Sequence, residues 1–127
     1  MKYTPVEPPR CFEAGFEIKR SIKDCAHITL EHDEQVTFTT DDNAEYDVTR
    51  KDFGFYATPS MNGRLKRFNL RAVLVKNRLS QFFILLVQKG REALFNTYMR
   101  EEKMNIIAWL DDDKTLARIE RACVDEK

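Results

Sequence analysis

Glycine and proline are scarce in this 127-residue chain, at four each; cysteine occurs three times and histidine twice. So little glycine and proline excludes collagen-like and low-complexity chains. Cys11, Cys25 and Cys123 are odd in number and form no CxxC pair. That argues against a disulfide framework and for a reducing, cytoplasmic setting. No apolar run approaches the ~20 residues of a membrane-spanning helix; the longest, Phe82 to Val87, is the size of a strand. The opening MKYTPVEPP lacks the apolar stretch of a secretory signal, so none is expected. The phosphate cradles G-x-G-x-x-G and G-x-x-x-x-G-K-[ST] are missing, as is the G-x-S-x-G nucleophile elbow.

What is present suits a folded domain. Hydrophobic residues make up 43% and charged residues 33%, and a chain of this length can bury about two thirds of its unfolded surface. Lys+Arg and Asp+Glu both number 21, so the net charge is zero and gives no general pull on nucleic acid or membrane. The charges are unevenly spread. Residues 1–60 carry 7 basic and 12 acidic side chains, residues 61–100 carry 9 basic and 1 acidic, and the remainder carries 5 and 8.

The first ten residues hold Pro5, Pro8 and Pro9 and show no apolar periodicity. They are expected to form an extended, loosely held leader ahead of one α+β domain at 11–127. From Cys11 the apolar residues Phe12, Ala14, Phe16 and Ile18 alternate with polar ones, which predicts a half-buried strand. Ile28 and Leu30, then Val36 and Phe38, repeat the pattern. Asp41–Ala44 reads as a turn, so Gln35–Thr40 and Glu45–Thr49 form a hairpin. Phe53–Ala57 is a further short strand stopped by Pro59. Leu70–Val75 and Gln81–Val87 are nearly continuous apolar runs, expected as central strands covered on both faces and paired antiparallel. An amphipathic helix over 91–103, a buried strand at 105–110 and a helix capped by Asp111–Asp113 complete the chain. Phe83, Leu85 and Ile107 are expected in the core.

Candidate chemistry is thin. Cys25 and His27 share a face if 25–31 is a strand, and Cys11 has matching parity, but a structural zinc site normally shows paired ligands. Asp24 beside Cys25 opposes the thiolate that a nucleophile needs. The Asp41–Asp47 stretch has Tyr46 where a calcium loop needs glycine. No metal and no cofactor is therefore expected. The remaining candidate is the irregular loop at 58–71. There Ser60, Asn62, Arg64, Lys66, Arg67 and Arg71 offer cations and hydroxyl or amide groups for a phosphate or carboxylate, with Tyr56 and Phe68 as stacking surfaces. The competing reading pairs these cations with the acidic strands upstream.

These patterns predict an α+β fold with a mainly antiparallel, strongly curved sheet of about seven strands, partly barrel-like in its N-terminal half. Two helices are placed near the C-terminus. The functional expectation is a small non-catalytic binding or accessory protein taking an anionic small molecule at 58–71. The alternatives are an enzyme acting on a phosphorylated metabolite or sugar, and a protein-interaction or homo-oligomerisation domain using exposed strands.

Overall fold

Strand β1 (Lys2–Ala14), with apolar alternation only from Cys11 onward, pairs antiparallel with β2 (Arg20–Thr29) as a long two-stranded hairpin. The structure is a computed structural model and describes residues 1–124. Gly15 permits the connection: its φ is +125°, and a Cβ there would lie 2.1 Å from the Ile18 carbonyl oxygen. The segment expected as a loose leader is instead strand. Lys2–Pro5 pair with Ala26–Thr29, and the ladder resumes at Arg10. Residues 6–9 drop out of register where Pro8 and Pro9 have no N–H to offer.

The second sheet has the order β3–β4–β5, from Gln35–Thr39, Glu45–Lys51 and Gly54–Tyr56. Its first turn holds Asn43 at φ +76°, a conformation asparagine tolerates, and closes with Thr40 N–H donating to the Ala44 carbonyl at 3.1 Å. A single turn of helix, α1 (Arg64–Arg67), leads into the third sheet. That sheet has the order β7–β6–β8, from Phe82–Gln88, Leu70–Lys76 and Asn105–Trp109, all antiparallel. Helix α2 (Glu92–Glu101) connects β7 to β8, and α3 (Asp113–Val124) follows.

The core lies on the two faces of β6. Leu70 and Ala72 point to one face and pack with Leu65 of α1, Ala44 and Leu110. Val73 and Val75 point to the other, against Val87 and against Phe95 and Met99 of α2. Phe95 and Met99 stand four residues apart, so one stripe of α2 meets the sheet.

The architecture is α+β and mostly antiparallel, with eight strands and three helices among the described residues. One strongly curved sheet does not form. The strands divide into three separate open sheets, because alternation fixes which face of a strand is apolar but not which neighbour it pairs with. Two of the expected core residues are also displaced. Phe83 is 42% exposed and Ile107 is 49% exposed, while Leu85 is half-buried. Helix α2 covers only part of its face of the sheet, and no described residue of α3 is fully buried, Thr115 and Leu116 being half-buried. These strands carry apolar side chains for two covers, and the described residues supply little more than one.

Candidate functional site

The six loop residues separate once the chain folds. Ser60 Oγ accepts the Arg64 backbone N–H at 2.8 Å and so shapes the start of α1. Asn62 Nδ2 donates to Asp113 Oδ1 at 2.9 Å, tying the loop to the first turn of α3. The Arg64 guanidinium donates to Asp47 at 2.9 Å and lies 4.5 Å from the Phe68 ring centroid. Hydrogen bonds from Thr37 and then from Arg64 hold the Asp47 carboxyl below the usual aspartate range. Ser60, Arg64 and Tyr56 share one small cleft of about 240 Å³. Lys66 and Arg71 line a different one, and Arg67 makes no ion pair among the described residues.

Arg71 is the best-held charge. Its Nε donates to Asp111 at 2.8 Å and its Nη2 to the other Asp111 oxygen at 3.3 Å, while Nη1 reaches Glu92 at 3.4 Å. The guanidinium also sits 4.0 Å from the Trp109 ring centroid. Asp111 is 4% exposed, and its bond to Arg71 raises the guanidinium pKa above its ordinary value. Asp111 is therefore an ion-pair partner, and the capping role belongs to Asp112, which accepts from the Thr115 backbone and hydroxyl. Lys66, Lys89 and Arg118 stand with this pair around an open cleft of about 590 Å³, whose apolar wall runs from Ile106 to Trp109. Four cations and two carboxylates, Asp111 and Asp112, line it.

The hairpin presents a different kind of surface. Its register puts Tyr3 opposite Ile28, Pro5 opposite Ala26, Arg10 opposite Asp24 and Phe12 opposite Ile22, all on one face. Thr4, Cys11, Glu13, Lys23, Cys25 and His27 occupy the other. Tyr3, Phe12, Ile22 and Ile28 are between 38% and 59% exposed, and among the described residues no other strand or helix packs extensively along the hairpin. It is anchored only near its ends. Glu102 accepts from the Phe16 backbone at 3.1 Å and from Arg20 at 3.0 Å, Glu101 also pairs with Arg20, and the Met1 amine bonds Glu34. Cys25 and His27 share the polar face, but His27 bonds Asp24, and among the described residues no three histidine, cysteine or carboxylate side chains converge.

No protein-family model, curated protein or solved structure matches this chain. Its chemistry is read from its own surfaces. The sequence marked Phe12 and Ile28 as residues for a covered face, whereas Ile22 and the Arg71–Asp111–Trp109 cluster were not anticipated. A signal for that cluster existed: Arg71 interrupts an apolar strand, and a cation inside a central strand requires a partner nearby.

Proposed function

We propose that this protein is a small non-catalytic subunit that works by assembling with other protein through its apolar faces. One observation carries the reading. A compact monomer of this mass exposes about 7,000 Å², whereas this 15.0 kDa chain exposes 9200 Å². The excess of roughly 2,000 Å² is more than the ~800 Å² that each partner contributes to a standard interface. Its composition agrees. Among the described residues eleven hydrophobic ones are buried, whereas twenty large ones are exposed, including Phe82, Phe83, Ile84, Ile106 and Ile107 on strand edges and ends. Exposed apolar clusters of this kind mark interaction surfaces in soluble proteins.

The test is native mass measurement of the chain isolated gently from the cells that make it. The expected mass exceeds 15.0 kDa, whether the addition is another copy or another protein. Recovery as a free single chain across the micromolar range would contradict the reading.

A second reading keeps the anion expectation for part of the loop. Lys66 and Arg71 share their cleft with Lys89 and Arg118, so a phosphate or carboxylate has three cations to meet besides the one already committed to Asp111. Thermal melting with and without phosphate at fixed ionic strength tests it, since a specific anion raises the melting temperature through linkage.

A further inference from the structure

The apolar face of the β1–β2 hairpin is the surface with the most definite demand for a cover. A two-stranded hairpin alone is marginally stable in water and needs a third strand or a packed face. Here the face carries Tyr3, Pro5, Phe12, Ile22, Ala26 and Ile28, with Arg10 and Asp24 between its two ends. Edge-on addition of a strand to β1 is obstructed by Pro5, Pro8 and Pro9, which lack the N–H groups a new ladder would use. The edge of β2 holds no proline, but a strand added there would leave the apolar side chains uncovered, so the cover they require docks face to face.

Resting on the assembly reading above, we infer that this face packs against the same face of a second copy of the chain, through a two-fold axis running along the strands, so that β1 of each copy lies over β2 of the other. Three features select a second copy. The face is self-complementary about such an axis, because cross-strand neighbours become partners between copies: Phe12 lies over Ile22 of the other chain and Tyr3 over its Ile28. The charges complement themselves: Arg10 bonds Asp24 at 3.4 Å within one hairpin, and the two-fold brings Arg10 of each copy towards Asp24 of the other. The chain has zero net charge, so bringing two copies together meets no overall repulsion. The resulting contact is a small two-layer β-sandwich of two hairpins, with the wet faces, including Cys11, Cys25 and His27, turned outward.

Sedimentation velocity of the purified full chain tests this, beside Ile22→Lys, which places two like charges in the contact. The wild type is expected at twice the 15.0 kDa chain mass, and Ile22→Lys at the mass of one chain with an unchanged far-UV spectrum. A second measurement covers the case in which Ile22→Lys fails to fold. In a background with Cys11, Cys25 and Cys123 changed to serine, Ala26→Cys is expected to cross-link into covalent dimers under a short bis-maleimide. His27→Cys, on the opposite face, is expected to yield at least tenfold less. Equal cross-linking at the two positions overturns the inference. A dimer that survives Ile22→Lys but dissociates in Ile84→Lys or Ile107→Lys also overturns it, while leaving the assembly reading intact. A purified wild-type chain that stays single, yet is recovered from cells in a heavier complex, removes the second copy and keeps the assembly reading.

Discussion

Replacing Arg71 by methionine separates a structural cation from a ligand-binding one. Asp111 is almost fully buried, and both of its oxygens accept from Arg71. Removing the guanidinium leaves that carboxylate without its counter-ion, and breaking a buried pair from one side costs about 3–5 kcal/mol. The stacking on Trp109 adds about 0.5–2 kcal/mol. Arg71 itself keeps 28% side-chain exposure, which lets water reach the site and places the expected loss near the low end, about 3 kcal/mol. For 127 residues, an unfolding entropy of about 0.27 kcal/mol/K turns this into a fall of roughly 11 °C in melting temperature. Urea unfolding at matched protein concentration is the assay, because the stability of a chain that assembles depends on its concentration. Asp111→Leu in the same background should recover much of the loss by removing the stranded charge. A loss below about 1 kcal/mol in Arg71→Met, or no recovery in the double variant, would refute this account of the pair.

Other outcomes follow from the same geometry. Leu65→Ala, at a fully buried position, should cost about 2–5 kcal/mol, whereas Phe83→Ala and Ile107→Ala should each cost under about 1.5 kcal/mol in the dissociated chain, read by chemical denaturation. Arg64→Gln should cost about 0.2–1 kcal/mol through its bond to Asp47, while Lys66→Gln with Lys89→Gln should leave stability level and abolish any phosphate-dependent rise in melting temperature. Acid should destabilise the chain. Asp47, bonded by Thr37, and Asp112, bonded by Thr115, are held below their usual pKa in the fold, as are Asp24, Asp33 and Glu92. Groups lowered in this way stabilise the fold above their unfolded values near pH 4, and that contribution is lost as pH falls through the folded values. Melting temperature should therefore be level from about pH 5 to 7 and drop below about pH 4.

Much of the local structure was legible because it is set by neighbours in sequence. The hairpin β3–β4 follows from alternation on both sides of an Asp-Asp-Asn turn, and β6–β7 from two apolar runs too close for a crossover. Helices α2 and α3 follow from four-residue spacing and from acidic first turns. Pairing between distant strands was not legible. Pro5 and its neighbours read as a leader because their composition is that of a loop, and only the ladder with β2 makes them strand. The candidate site divided for a similar reason. Arg64 and Arg71 are seven residues apart in sequence, yet one meets Asp47 and the other Asp111, and neither partner can be chosen from spacing. Phe83 and Ile107 show the limit most clearly: apolar character marks a side chain that requires cover, without saying whether its own chain provides it.

Carbene footprinting of side chains in the assembled protein addresses that last point most directly. If the apolar faces are covered in the working state, Tyr3, Phe12, Ile22 and Ile28 should be labelled several-fold less than Phe53, relative to each residue's exposure in the single chain, where Phe53 is 77% exposed. Dilution that dissociates the assembly should restore their labelling. Labelling of all five in proportion to single-chain exposure, at every concentration, would contradict the claim that these faces are built to be covered.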